Sequence, residues 1–207
     1  MASLAKDGDG RTQLTKTFLL VSASPRSGEL DTRVKLLYHT DFQALRSVLA
    51  RKEVELDPEL LMDHVVYMFE IEDCSRVTTH QLVRHRAVSY DQESQRFSAA
   101  TREGVVTPPS IQSNEAALRA YDEALKAVYS AYEKMVAAGV AKEDARYILP
   151  NGIKTKLVMT LNARSLMHIV WQRTALQAQW EIRELANTLH SLAREATPEL
   201  WVKIIER

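Results

Sequence analysis

Residues 84–96 read Arg84-His85-Arg86-Ala87-Val88-Ser89-Tyr90-Asp91-Gln92-Glu93-Ser94-Gln95-Arg96. Three arginines, a histidine and two serines fall together here, directly after a segment patterned as a helix. Each guanidinium is a planar fork of five donors that keeps its charge at any physiological pH. Several of them converging repel one another unless an anion lies between them. The run therefore points to a phosphate or another polyoxygenated anion. Ser89 to Ser94 is polar and poor in core residues, as expected for a ligand-wrapping loop. Its backbone N–H groups and hydroxyls can complete an anion nest that Arg96 closes. An isolated Arg-His-Arg triplet, by contrast, reads as a solvated charged turn.

The chain has 207 residues, enough for a sizeable core, and 27 Lys and Arg balance 27 Asp and Glu. There is thus no global basic field for nucleic acid or an anionic membrane, and any anion site must be local. No apolar stretch approaches the ~20 residues needed to span a bilayer. Residues 1–16 are polar, with Asp7-Gly8-Asp9-Gly10, and lack a signal peptide's apolar core. They are expected to be a flexible tail ahead of a single domain at 17–207, in a cytoplasmic protein. Cys74, the only cysteine, excludes a disulfide framework and a cysteine metal cluster. It has no clear activating partner in sequence and reads as a buried, inert thiol. No zinc-ligand spacing, Gly-rich phosphate loop or Gly-x-Ser-x-Gly elbow occurs.

Periodicity gives an α+β domain with most of its helix in the C-terminal half. Strands are expected at Thr17 to Ser22, followed by a loop at Ser24 to Gly28, then at Arg33 to His39, His64 to Glu72 and Lys154 to Thr160. In the third, Val65, Tyr67, Phe69 and Ile71 share one face. Thr40 or Asp41 can cap a helix through Phe42, Leu45, Val48 and Leu49, and Ser75 one that carries Val77, Leu82 and Val83. Asn114 to Ala138 is the clearest helix, with Gly139 as its stop. A short helix around Lys142 to Ile148 ends before Pro150. Further helices are expected from Asn162 to about Arg173, from about Leu176 to Ala196, and from Thr197-Pro198 onward.

Two more strings can carry chemistry. In Asn162 to Arg173, Ala163, Leu166, Met167, Ile169 and Val170 share an apolar arc, while Arg164 and His168 are neighbours on a different face. Asn162 and Arg173 lie near the edge of that arc, roughly 16 Å apart at 1.5 Å per residue, so one helix can present two polar stations to an elongated ligand. An amphipathic surface helix with incidental charges is the plain alternative. In Ala145-Arg146-Tyr147-Ile148-Leu149-Pro150, a lone arginine before an apolar helix end is ordinarily a helix C-terminal partner. Gln177 to Arg183 reads mainly as helix packing.

The pattern Arg84-His85-Arg86, seven residues, then Ser94 resembles the signature of the flavin-dependent thymidylate synthases. The strings at Gln81 to Phe97, Ala145 to Pro150, Asn162 to Arg173 and Gln179 to Ile182 are similar to that family as well. The resemblance implies the thymidylate synthase-complementing fold, with a mixed sheet and long helices. It also implies a homotetramer with active sites shared between subunits. The implied reaction is methylation of C5 of dUMP with FAD, NADPH and methylenetetrahydrofolate. By motif position, Arg84, His85, Arg86, Asn162, Arg164 and His168 fall at the flavin. Gln81, Arg84, Gln92, Glu93, Ser94, Arg96 and Arg146 fall at the nucleotide. Arg173 falls at the uracil edge as the catalytic group, where a guanidinium stabilises negative charge on the ring and pushes electron density toward C5. Ser94 is then a binding residue, since no base stands beside it.

The chain departs from the family in places. Gln92 stands where many members carry Glu, and Phe97 replaces a usual Tyr. The family's Gly-His-x-Ser/Thr-Pro-x-Glu-His string, which helps hold flavin and folate, is reduced here to Asp63 and His64 within residues 57–64. These departures point to a divergent paralogue, with UMP as well as dUMP as substrate and nucleoside antibiotic synthesis as a setting. A non-catalytic nucleotide or RNA-binding protein is the rival from another class. Neutral charge and the absence of clustered aromatics count against RNA. A flavoprotein oxidase that has lost folate use is the third reading.

Overall fold

The computed structural model describes residues 21–23, 31–50, 58–96, 100 and 104–205. The expected tail at 1–16, residues 17–20 of the first expected strand, the loop at 24–28, and Phe97 lie outside the described residues. Strands β1 (Val21–Ala23), β2 (Arg33–His39), β3 (Val66–Ser75), β4 (Ser89–Gln92) and β5 (Lys154–Asn162) form one sheet in the order β1-β2-β3-β5-β4. The helices are α1 (Phe42–Ala50), α2 (Pro58–His64), α3 (Arg76–Leu82), α4 (Pro109–Gln112), α5 (Glu115–Ala137), α6 (Lys142–Ala145), α7 (Ala163–Arg173), α8 (Trp180–Ala196) and α9 (Pro198–Ile205). A 3₁₀ turn, Arg146–Ile148, continues α6.

The expected mixed sheet is corrected: each described pairing is antiparallel. The cause is the place of β5. Strands β3 and β4 run in the same direction on either side of α3, but β5 enters between them, antiparallel to both.

Alternation along β3 separates two faces of the sheet. Tyr67, Phe69 and Ile71 are fully buried, as are Leu36, Leu157 and Met159 from the neighbouring strands. Onto this face pack Leu166 and Ile169 of α7 and Ile182, Leu185, Leu189 and Leu192 of α8. Each such side chain contributes about 1.5–3 kcal/mol on burial. The intervening positions carry charge on the other face. Lys156 Nζ lies 2.7 Å from carboxylate oxygens of both Glu70 and Glu72, and Lys35 Nζ lies 3.3 Å from Glu70. These contacts lower both carboxylate pKa values and raise that of Lys156.

The register of β3 slips between Ile71 and Cys74, where Asp73 takes φ +60°. Aspartate tolerates this left-handed conformation better than most residues. Its carboxylate accepts from Arg33 Nε at 3.0 Å and Nη2 at 2.7 Å. The slip delivers Ser75 to the start of α3, where its Oγ accepts from Thr78 N at 3.1 Å. The Ser75 N–H and Oγ both donate to the buried carboxylate of Glu181, the former at 2.7 Å. Thus one serine caps α3 and ties it to α8.

Helix α5 begins at Asn114, whose Oδ1 accepts from Ala116 N and Ala117 N at 3.1 Å. It ends at Gly139, φ +87°, with Gly139 N–H donating to Val136 O and Val140 N–H to Met135 O, the Schellman pattern that glycine permits. Helix α8 starts at Trp180 rather than at the expected Leu176, capped by Gln179 Oε1. Helix α2 was not anticipated by periodicity. No helix among the described residues is long and apolar enough to cross a membrane.

Candidate active site

Helix α3 ends at Leu82, and the chain leaves it in a tight turn with Arg84 N–H on Gln81 O and His85 N–H on Leu82 O. Tyr90 of β4 pins this turn: its hydroxyl donates to Leu82 O at 2.7 Å and also contacts His85 O. Burial pushes that phenol's pKa up. The expected loop at Ser89 to Ser94 is corrected here, since its first four residues are the edge strand β4 on β5. With the turn pinned, His85 is buried while Arg84 and Arg86 on either side are exposed. Neither arginine makes an ion pair with a described residue.

His85 meets the end of α7. Asn162 Oδ1 caps that helix by accepting from Ser165 N at 2.9 Å, and Ala163, Leu166 and Ile169 bury its inner face. This fixes the rotation of the helix, so His168 and Trp171 are exposed and Arg173 turns toward α3. Arg173 Nε donates to His85 Nε2 at 3.0 Å, and its Nη2 donates to Gln81 O at 3.1 Å. The His85 ring stands edge-on to His168 at 5.6 Å, and His168 lies 6.3 Å from Trp171. Burial, then the charge of Arg173, then His168, lower the His85 pKa to about 4. The imidazole is therefore neutral near pH 7. Since Nε2 accepts from a guanidinium that has no acceptor role, its proton resides on Nδ1.

A second cluster gathers at the other end of α3. Arg96 Nη2 lies 2.6 Å from Glu143 Oε2, and Arg146 Nε donates to Glu143 O at 3.1 Å. Arg96 N–H donates to Ser94 Oγ at 3.3 Å, and Glu93 N–H to Lys156 O at 2.9 Å. Arg76 is the residue that motif reading missed. Its Nη2 donates to Glu93 O at 2.7 Å, while its buried Nε has no hydrogen-bond partner. Burial, followed by the nearby Arg146, lowers its pKa. One sequence signal was available: a cation at the first position of a helix opposes the macrodipole and calls for a compensating reason.

Of the remaining predicted site residues, Asn162 and Arg164 lie apart from both clusters, while Gln81 and Gln92 lie on or against α3. Arg164 binds Asp63 of α2 side-on, Nε at 2.7 Å and Nη2 at 3.0 Å, and also reaches Glu59 O. Asn162 Nδ2 donates to Asp63 O. Asn162 and Arg164 thus sit at the start of α7, about 14–16 Å along its axis from Arg173. Gln92 Nε2 donates to Thr79 Oγ1 at 3.1 Å and Thr155 Oγ1 at 3.3 Å, and Gln81 Nε2 donates to Val77 O. Cys74 is buried with its Sγ directed at Thr155 O, and burial with the nearby Glu181 pushes its thiol up to about 12. That is an inert thiol, as its sequence context implied. No metal-ligating cluster occurs among the described residues.

One chain therefore brings together Gln81, His85, His168 and Arg173 at one end of α3, and Glu93, Ser94, Arg96 and Arg146 with Arg76 at the other. Such an arrangement gathers guanidinium groups suited to an anion at one end and a fixed guanidinium edge at the other.

Similar proteins bear on this geometry. The chain is 39% identical over 152 residues to a flavin-dependent thymidylate synthase of Geobacter sulfurreducens, covering 72% of this chain and 66% of the relative. It is 43% identical over 132 residues to one of Pyrococcus furiosus, covering 62% and 54%. It is 43% identical over 145 residues to one of Sulfurisphaera tokodaii, covering 68% and 55%. The matched region thus spans between about half and two thirds of these relatives' own lengths. A family model described as thymidylate synthase complementing protein matches residues 25–199, most of the sequence, so the chain belongs to that family.

Proposed function

We propose that this protein methylates C5 of a uridine 5′-monophosphate reductively, with dUMP as the default substrate. The proposed partners in the reaction are FAD, NADPH and methylenetetrahydrofolate. The observation that carries the reading is the placement of Arg173. Its Nε–Nη2 edge is held by His85 and Gln81, which leaves its Nη1–Nη2 end for a ligand. Relatives named flavin-dependent thymidylate synthase support the same reading.

The residues present suit anionic ligands. Arg84 and Arg86 are exposed guanidinium groups with no ion pair to a described residue, and the Arg76 Nε is an unpartnered donor. In the proposed site, Arg76, Ser94, Arg96 and Arg146 take the nucleotide phosphate, with the Glu93 backbone beside them. The uracil then reaches Arg173 at the far end of α3, roughly 8 Å along that helix at 1.5 Å per residue. Gln81, Arg84 and Gln92 line the way between. Arg86, His85 and His168 serve the flavin side, and Asn162 and Arg164 its far end. Arg173 stabilises negative charge as the ring loses its N3 proton, raising electron density at C5. When bound, reduced flavin supplies the hydride and the folate the one-carbon unit. No enzyme nucleophile is required, in keeping with a buried, unactivated Cys74.

We further place residues 17–207 in a single domain, in the cytoplasm, assembled as a homotetramer that shares its sites between subunits. The strong exposure of Trp171 (75%) and Leu176 (86%) beside the site supports an interface there.

Product analysis tests the reading. Purified protein is incubated with FAD, NADPH and methylenetetrahydrofolate, and with dUMP or UMP in parallel. Formation of dTMP, or of 5-methyl-UMP in the second arm, is expected. A flavin-loaded protein that oxidises NADPH and methylates neither nucleotide would be the folate-independent oxidase. A protein that binds nucleotide and cannot be loaded with flavin would be a binding module.

A further inference from the structure

We infer that His85 is a positioning residue, which sets the orientation of the Arg173 guanidinium by accepting its Nε–H. The inference rests on the proposed reaction and goes beyond the flavin contact assigned to His85 by motif.

The geometry is specific. A guanidinium has a side-on edge, Nε with Nη2, and an end-on edge, Nη1 with Nη2. Arg33 and Arg164 both spend the side-on edge on a carboxylate. Arg173 does not. Its side-on edge meets two neutral acceptors, the imidazole Nε2 of His85 and the backbone oxygen of Gln81. Neutral acceptors orient the group without cancelling its charge, so the full positive charge remains for a ligand at the end-on edge. A carboxylate at position 85 would hold the arginine equally well and would weaken its pull on a developing negative charge.

His85 fills this role only when neutral and only as the Nδ1–H tautomer. The groups that face it fit that requirement. From α7 come Arg173, at hydrogen-bond distance, and His168, edge-on at 5.6 Å. From β4 comes Tyr90, whose hydroxyl reaches the His85 backbone oxygen. Arg84 and Arg86 flank it in the chain. The Arg173 guanidinium points at Nε2, and among the described residues no carboxylate faces the ring, so the proton stays off Nε2. Protonation there would replace an acceptor with a donor and turn two cations against each other.

The test compares two variants of similar size. In His85→Gln the side-chain amide reaches the place of Nε2 and can accept from Arg173. In His85→Asn the amide is one carbon too short and falls at the place of Nδ1. If His85 positions Arg173, kcat for dUMP falls about 100-fold in His85→Asn and about tenfold or less in His85→Gln, with the nucleotide KM changed little in either. The acid limb of the wild-type kcat profile should vanish in His85→Gln, which cannot ionise. Equal losses in the two variants, or a loss confined to KM for nucleotide or flavin, would overturn the inference. A second readout needs no turnover. The imidazole nitrogen resonances of His85, in protein labelled with ¹⁵N-histidine, should show an unprotonated Nε2 and a protonated Nδ1 at neutral pH. Substituting Arg173→Lys should shift the Nε2 signal. A protonated Nε2 overturns the inference even if the enzyme is active. The predicted resonances in a protein without methylase activity leave the positioning intact and reject the proposed reaction.

Discussion

Arg76 is a single residue whose surroundings suit an anionic ligand. Its guanidinium is half-buried at the positive end of a helix, near Arg146, with a buried unpartnered Nε. Removing a misplaced cation ordinarily stabilises a helix start by about 0.3–1 kcal/mol. Arg76→Met is therefore expected to leave thermal stability unchanged or slightly raised while weakening dUMP binding about tenfold, roughly 1.4 kcal/mol. Calorimetric titration checks this, with deoxyuridine as control: the nucleoside lacks the phosphate and should bind both proteins alike. An equal loss for nucleotide and nucleoside would mean that Arg76 only shapes the fold. At this scale much of the candidate site is legible in the sequence, because the arginine run carries its spacing within thirteen consecutive residues. Arg76 and the His85–Arg173 bond were hidden for a physical reason. Both depend on contacts across the fold, the latter between residues 88 apart in the chain.

At the scale of elements, the joint between β3, α3 and α8 positions the candidate site. Ser75 caps α3 and supplies two donors to Glu181, a carboxylate that is only 2% exposed. Ser75→Ala removes the cap and one donor to a buried charge, a loss of about 2–4 kcal/mol. Urea unfolding should register it as a lower midpoint with an unchanged slope. A shift under ~0.5 kcal/mol would show that the joint does not hold the helices. Ser75 was readable as a cap because its position before an apolar helix is a local signal. Glu181 was not, since a glutamate in the first turn of a helix ordinarily faces solvent. The same distinction explains β4. Ser89 to Gln92 alternates too weakly to declare a strand, and only β5, more than sixty residues on, gives it a pairing edge. Strands with strong alternation, such as β3, and helices with clear caps, such as α5 and α7, were legible because their signals are contained within them.

Across the whole molecule, two histidines held below their ordinary pKa add to the response to acid. His85 is lowered to about 4, and burial followed by Arg194 lowers His190 as well. A depressed histidine binds its proton more readily unfolded than folded, so its contribution is intact above the unfolded value near 6.5 and is lost as pH falls toward the folded value. Melting temperature should therefore decline between pH 6.5 and about 4, and His85→Gln should flatten part of that decline. A melting curve whose pH dependence in this range is the same for His85→Gln and wild type would show that His85 is not held neutral by the fold. The one thiol is buried with its pKa pushed up, so for the proposed reaction an electrostatic mechanism and a nucleophilic one make opposite predictions. Release of tritium from [5-³H]dUMP, in the presence of FAD, NADPH and methylenetetrahydrofolate, measures that difference directly. Wild type and Cys74→Ala should release tritium at similar rates, and Arg173→Lys should be slower by about two orders of magnitude. No release by wild type, or a loss in Cys74→Ala with Arg173→Lys unaffected, would refute an arginine-driven methylation at C5.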